Sequence, residues 1–375
     1  MKLDVVVVGA GMAGLICAQQ LQRSGYRVVV IEKSRGLGGR VATRRLAGTW
    51  ADHGLRCLEV QGDLTSLLIQ TLVQQGILHR WTETIHDWTT TGLQVSPVQH
   101  PRYAAAEGIT AVAKALGAGL EIRRAQRVQA IAFQPDRSWK LTLETGAGSG
   151  AEVASLAVVL AIPAPQALLL LQPIADWLPD DLLAALRSVQ FAPCITSIAA
   201  YPIKYAAKFQ NLPWQAVQFP AGATLAWVGL EGSKRSIESS ESTETSPTLV
   251  VQSSAAFAEL HLDDTDLQPV GQHLLTQAAE ALLPALAEAE ELQVHRWRYA
   301  FVSQPWQNTS LQAASLPLVC CGDWCGGDRL ESALNSGLAA AQQIALQLGT
   351  PVVSETAEPI AAFADLLKLV SAHST

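Results

Sequence analysis

The sequence predicts an α/β fold in which a doubly wound, mainly parallel unit is interrupted by a second, α+β unit. Three observations carry this. The chain starts with a β-branched run, a glycine-rich turn and a helical pattern; its middle is a series of short apolar runs separated by Pro and Gly; and near residue 320 an apolar run again leads into a long helical pattern. At 375 residues the chain exceeds the ~100 to 200 residues of one typical domain. Two packed units with a sizeable core are expected. Apolar residues make up 49% and charged residues 16%, which excludes disorder of the chain as a whole. With 26 Lys plus Arg against 33 Asp plus Glu, net −7, no basic stripe is available for a phosphate backbone, so nucleic acid is not an expected partner.

The elements follow in order. Residues 3–8 (LDVVVV) predict a strand, and MAGLICAQQLQRSG predicts a helix that stops at Gly25; Arg27 to Ile31 is a second strand closing on Glu32. This is one βαβ unit with a parallel pair. Arg127 to Phe133 and Trp139 to Leu143 alternate around a Pro135–Asp136 turn and predict an antiparallel hairpin, with a further strand from Ser155 to Ile162. Residues 178–189 read as a helix, and 194–254 as strands of the second unit. Long helical periodicity covers Gln268 to Leu286 and Asp328 to Leu348, and the run SLPLVCCGD between them predicts a strand that delivers Asp323 to the last long helix. Residues 236–247, almost wholly Ser, Thr and Glu, cannot bury a core and predict an exposed loop. The expected division is 1–75, 101–165 and 288–349 for the first unit, 76–100 and 166–287 for the second, and 350–375 as a tail docked on the body.

Six cysteines, at 17, 57, 194, 320, 321 and 325, have neither a paired framework nor CxxC spacing. Disulfides and metal sites are not expected, and a reducing, cytoplasmic setting is. The uncharged stretch from Val5 to Ala18 has the length of a signal-peptide core, but Asp4 precedes it and three glycines at a functional spacing break it. No run reaches the ~18 apolar residues of a membrane span.

Gly9-Ala10-Gly11-Met12-Ala13-Gly14 lies between the predicted strand and helix. In that context the first glycine permits a tight turn, the second lets backbone approach a pyrophosphate, and the third lets helix and strand pack closely. Helix N-terminal amides then hold the phosphates. Glu32, about 20 residues on, is placed to accept from ribose hydroxyls. A Rossmann-like dinucleotide site follows. Directly after Glu32, the stretch Lys33-Ser34-Arg35-Gly36-Leu37-Gly38-Gly39-Arg40 is a second glycine cluster tied to an arginine, suited to a second length of phosphate. No second strand-GxGxxG-helix unit occurs, so a separate nicotinamide domain is not expected.

The pairing of GxGxxG, Glu and GxGGR resembles the flavoprotein superfamily of amine oxidases, phytoene desaturases and protoporphyrinogen oxidases. The resemblance implies a Rossmann-like FAD-binding domain of the p-hydroxybenzoate hydroxylase/amine oxidase type, an inserted α+β substrate domain, and non-covalent FAD. A matching C-terminal segment is Cys321-Gly322-Asp323-Trp324, followed by Arg329-Leu330-Glu331. By resemblance Gly322 and Asp323 lie near the ribityl or pyrophosphate, the helix starting near Leu330 aims amides at the flavin, and Val128 meets the adenine. A positive helix terminus there would stabilise the electron-rich reduced flavin.

Within the superfamily, Trp50-Ala51-Asp52-His53-Gly54, LAIPAPQALLLL, TLAWVGLEGSKRS and His295-Arg296-Trp297-Arg298-Tyr299-Ala300 resemble the renalase group. Where that group continues with a small residue, Gln and aromatics, this chain has Leu55-Arg56-Cys57-Leu58. The resemblance implies oxidation of isomeric β-NAD(P)H to β-NAD(P)+, with O2 reduced to hydrogen peroxide. Oxidation of an amine, or desaturation of an apolar substrate, is the alternative. Hydride transfer needs orientation rather than a general base, and His53, Tyr103, Trp297, Arg298 and Tyr299 are the residues expected to line the substrate site. Each has a plainer role open to it: core packing for the aromatics, a surface ion pair for Arg298.

Overall fold

The computed structural model describes residues 3–46, 48–144, 150–235, 246–349 and 359–372. The Ser/Thr/Glu run at 236–247 falls almost entirely outside them. The chain opens with β1 (Leu3–Val8), α1 (Met12–Arg23) and β2 (Val28–Ile31), then β3 (Thr43–Leu46), β4 (Thr49–Asp52), β5 (Leu58–Glu59), α2 (Asp63–Gln74) and β6 (His79–Thr82). Next come β7 (His86–Thr89), β8 (Gly92–Val95), β9 (Arg102–Ala104), α3 (Thr110–Leu116), β10 (Glu121–Arg123), β11 (Val128–Phe133), β12 (Trp139–Leu143) and β13 (Glu152–Leu160). The middle holds α4 (Ala164–Leu171), α5 (Asp180–Ser188), β14 (Gln190–Ala200), α6 (Ala206–Gln210), β15 (Ala216–Gln218), β16 (Leu225–Leu230), β17 (Thr248–Ser253), α7 (Ala255–Leu260) and α8 (Gln268–Ala281). The chain ends with β18 (Glu291–Gln304), β19 (Leu311–Gln312), β20 (Leu318–Cys320), α9 (Leu330–Leu348) and α10 (Pro359–Ala372).

One sheet runs β10-β2-β1-β13-β12-β11, with β20 added beside β13. Its centre is parallel and its β11–β12–β13 flank antiparallel. Alternation explains why LDVVVV can be so apolar: Val5 and Val7 pack with α1, α3 and α9 on one face, Val6 and Val8 with α4 and α5 on the other. Covered on both faces, the strand has no use for a polar side. Gly337 lets α9 lie against α1, since a Cβ there would stand 2.5 Å from the Ala13 carbonyl oxygen. Phe363, Leu366 and Leu367 of α10 are buried in the same core layer as α1.

The second sheet has the order β18-β14-β17-β16-β15-β7-β8, with α8 packed on its apolar face. Two expected boundaries do not coincide with the sheets: residues from 166 fall in the second unit of the expected division, but α4 and α5 pack on the first sheet. Residues from 288 onward were assigned to the nucleotide-binding unit, but β18 pairs along β14 and belongs to the second sheet. Helix α8 also ends at Ala281 rather than 286, because Pro284, which has no N–H, begins a short 3-10 turn over Pro284–Ala287. No helix among the described residues is long and apolar enough to cross a membrane.

Candidate active site

The glycine-rich turn after β1 separates two demands on glycine. At Gly9 φ is +104°, and a Cβ would stand 2.5 Å from the Ala161 carbonyl oxygen; at Gly14 it would stand 2.1 Å from the Gly9 carbonyl oxygen. Both are needed by the fold itself. At Gly11 a Cβ would meet nothing within 4 Å. That position faces open space at the start of α1, whose first turn has no side-chain cap, so its amides remain for an anion. Met12 and Ala13 are buried in the first turn of that helix.

Glu32 is buried, and its two oxygens accept from Ala10 N and Ser34 N, each at 2.8 Å. A carboxylate oxygen has more than one acceptor site, so Glu32 is oriented by the backbone while still able to accept from a ribose. Beside it, Lys33, Ser34, Ala125, Arg127 and Glu144 line an open cleft of about 400 Å³. Ala125, Arg127 and Glu144 escaped the sequence reading. Val128, which follows Arg127 and opens β11, is buried in the core.

The second glycine cluster meets the first: Gly38 N donates to Ala10 O at 2.9 Å, and a Cβ at Gly39 would touch only the Gly11 Cα, at 3.5 Å. Arg40 then reaches across the molecule, donating to Asp323 Oδ1 at 2.6 Å and to the Ala300 carbonyl at 3.2 Å. The Ala300 contact has a local cause. Opposite Pro193 the β14–β18 register shifts, and residues 298–300 of β18 bulge between Trp297 and Phe301. Gly322 N donates to Ser336 Oγ at 3.0 Å, tying the loop before α9 to that helix. Leu330 opens α9, which also lacks a side-chain cap. Bare glycine positions, a half-buried arginine and two uncapped helix starts on neighbouring loops fit an anionic dinucleotide.

Two of the expected cofactor residues do something else. The Glu331 carboxylate accepts from Leu64 N and Thr65 N at 3.0 and 2.7 Å, so it caps the first turn of α2. Arg329 is mostly exposed and sits beside Asp328.

On the other side, His53, His295 and Trp297 form one ring cluster, with centroids 5.0 Å apart for His53–His295, 5.2 Å for His53–Trp297 and 4.3 Å for His295–Trp297. The Trp297 indole donates to the His53 carbonyl at 2.9 Å, and Gly54 leaves room for that ring. Burial and the positive charge around it push His53 down to about 3, and burial with Arg44 pushes His295 down to about 4. Both imidazoles are neutral near pH 7. His53 Nδ1 is buried without a hydrogen-bond partner among the described residues. Tyr299 packs edge-on against Phe191 at 5.5 Å, and the Arg40 guanidinium lies 6.0 Å from the Phe191 ring. His295 was missed, although its spacing of two from Trp297 on a strand puts both on one face.

Arg298 does not join this group. Strand alternation turns it to the opposite face, where it pairs with Asp263 at 2.9 Å and donates to Leu262 O. Tyr103, on β9, packs half-buried against the core that includes Met12, Leu58 and Leu64, and makes no ring contact with the His53–Trp297 cluster.

Residues 7–70 match the NAD(P)-binding Rossmann-like domain, and residues 82–345, well over half of the chain, match the flavin containing amine oxidoreductase family. The chain belongs to the flavin containing amine oxidoreductase family. Its cofactor is FAD. A Mycobacterium tuberculosis protein named as a flavin-containing monoamine oxidase is 54% identical over 52 residues, 14% of this chain and 12% of that one. The match thus spans about one eighth of that relative. Solved structures extend the likeness in fold: cyclohexylamine oxidase from Brevibacterium oxydans has a TM-score of 0.66 at 13% identity over 93% of this chain and 100% of its own. A putrescine oxidase variant has a TM-score of 0.65 at 15% identity, over 92% and 99%. In this family member the Gly9–Gly14, Gly38–Arg40 and Gly322–Asp323 loops are the residues that would hold the dinucleotide, with Glu32 at its ribose end.

Proposed function

We propose that this flavoprotein is an oxidase of the renalase type, converting isomeric dihydronicotinamide forms of β-NAD(P)H to β-NAD(P)+ while O2 and a proton become hydrogen peroxide. The observation that carries this is the character of the His53–His295–Trp297 cluster. Both imidazoles are held neutral, the charged group acting on both is Arg44, and the adjacent carboxylate, Asp52, is already engaged by Thr43, the Ile109 amide and Lys234. Among the described residues, no carboxylate that is not already engaged stands in this cluster to receive a protonated amine. A neutral dihydropyridine carrying a pyrophosphate is suited to such a site on both counts.

When bound, FAD supplies the two-electron acceptor. The chain's own part is orientation: Trp297 and Tyr299 offer flat faces on one strand, the His53 carbonyl fixes the Trp297 indole, and buried His53 Nδ1 offers a hydrogen-bonding atom to a carboxamide. No side chain is required to take a proton from carbon in a hydride transfer.

Amine oxidation is the second reading, favoured by the names of the three relatives given above, all of them amine oxidases. Anaerobic titration of the holoenzyme with NADH isomers, ordinary β-NADH and simple amines, read at the visible flavin band, separates the two. Bleaching by the isomers, with peroxide on admitting air, supports the renalase type; bleaching by amines alone refutes it.

A further inference from the structure

Three ionisable side chains, one of them next to His53 in the chain, are buried together. Asp52 ends β4, and Glu231 and Lys234 lie on the short 3-10 turn after β16. All three are only 2 to 4% exposed. Lys234 Nζ is 2.7 Å from Glu231 Oε1 and 3.5 Å from Asp52 Oδ2, and it stands 5.4 Å from the Trp81 ring. The group joins the two sheets: Asp52 Oδ1 also accepts from Thr43 Oγ1 at 2.7 Å and from Ile109 N, at the start of α3, at 2.8 Å.

The five residues from Asp52 to Arg56 run as a strap between the sheets, tied from both sides. From the second sheet, Glu231 Oε2 accepts from Asp52 N at 2.8 Å, Trp297 donates to His53 O at 2.9 Å, and Gln252 donates to Gly54 O at 2.9 Å. From the loop after the second glycine cluster, Ala42 O accepts from His53 N and Arg40 O from Leu55 N. Arg56 closes the strap by donating to Gln252 Oε1 at 2.7 Å while its guanidinium lies over the Trp227 ring. Two of these six ties are backbone to backbone, and three run from a side chain to a backbone atom of the strap. The Glu231 tie alone comes from a buried carboxylate, and it holds the residue directly before His53.

We propose that Glu231 is a positioning residue of the active site, and that its ion pair with Lys234 holds the Asp52–Arg56 strap so that the His53 ring and the Trp297 indole face the reacting ring of the substrate. This rests on placing the substrate site beside His53 and Trp297. The groups facing Glu231 are Lys234 and Arg235 from its own turn and Asp52 from β4, with Cys57 from the end of the strap acting on Lys234. Burial, with a smaller push from the neighbouring Asp52, raises Glu231 to about 7 against the pull of Lys234, while Glu231 and Asp52 together hold Lys234 protonated against its own burial. Ionised Glu231 makes the pair; as pH falls through about 7 the pair loses its charge and with it the orientation it imposes on the strap, although the raised pKa means that protonation does not open the strap.

The test uses the FAD-loaded wild type, E231Q, E231D and the double variant E231Q/K234M. Hydrogen exchange read by mass spectrometry follows the peptide over Trp50–Arg56 against a control over β1 and α1. Expected for E231Q is exchange at least ten-fold faster in the strap, with the control and the FAD content unchanged. Flavin bleaching, with whichever donor reduces the wild type, is expected to slow as pH falls through about 7 in the wild type. In E231Q it should be slow and nearly flat with pH, and in E231D partly restored. If E231Q alone does not fold, E231Q/K234M, which removes both charges, carries the same expectations. Unchanged strap exchange overturns the proposal, and so does a pH profile shared by wild type and variant. Because the exchange experiment needs no substrate, loss of the renalase reading and loss of this proposal give different results.

Discussion

Removing the imidazole at position 53 should flatten the acid sensitivity of the protein, and the size of the change follows from its burial. His53 is 6% exposed and its pKa lies near 3 against an ordinary 6.5. Between those values the unfolded chain binds a proton that the folded protein does not, so stability is complete above about pH 6.5 and is lost as pH falls toward 3. At pH 5 the difference is 1.5 pH units below the unfolded value, worth about 2 kcal/mol at ~1.36 kcal/mol per unit. With an unfolding entropy of ~2.1 cal/mol/K per residue, a chain of this length has its Tm moved by roughly 2 to 3 °C. Thermal melts of the holoprotein at pH 8 and pH 5, followed by far-UV circular dichroism and by flavin fluorescence, give the drop for wild type and for H53Q. Carboxylates titrate equally in both and cancel in the comparison. The variant should show a drop smaller by that amount, and equal drops would refute the claim that His53 is held neutral by burial.

Two glycines within six positions of the end of β1 should behave oppositely. Gly14→Ala places a Cβ 2.1 Å from a backbone oxygen and should destabilise the protein by about 1–3 kcal/mol or more, visible as a lower Tm with or without FAD. Gly11→Ala meets no protein atom within 4 Å and should leave the apoprotein melt nearly unchanged, while the flavin-to-protein absorbance ratio after dialysis falls at least ten-fold. Glu331→Gln should weaken the first turn of α2 by about 1 kcal/mol, read by chemical denaturation, with FAD content unaltered. Arg298→Ala, which removes an exposed pair on the face away from Trp297, should keep the rate of flavin reduction within two-fold of wild type in a stopped-flow comparison.

The glycine motifs proposed to hold the cofactor are legible because their chemistry is local. A turn that needs φ near +104° at Gly9, or backbone close enough at Gly14 to exclude a Cβ, forces glycine at fixed offsets from a strand and a helix. The proposed substrate half is legible only in part. His53, Trp297 and Tyr299 stand in readable stretches, but Arg298 and Glu331 stand in equally readable ones and turn out to hold Asp263 and the start of α2. Neighbours in sequence point to opposite faces of a strand, and only the partner across the interface decides which face is the site.

By itself, the sequence determined the βαβ start, the two glycine loops and the family to which they belong, since these depend on contacts within a few tens of residues. Tertiary structure alone decided that Arg40 reaches Asp323, 283 positions away, and Ala300, 260 positions away. It also decided that β18 joins the second sheet, and that Asp52, Glu231 and Lys234 share one buried pocket. Charges so far apart in the chain carry no pattern in the sequence; burial and mutual compensation bring them together, and both exist only once the two sheets have packed.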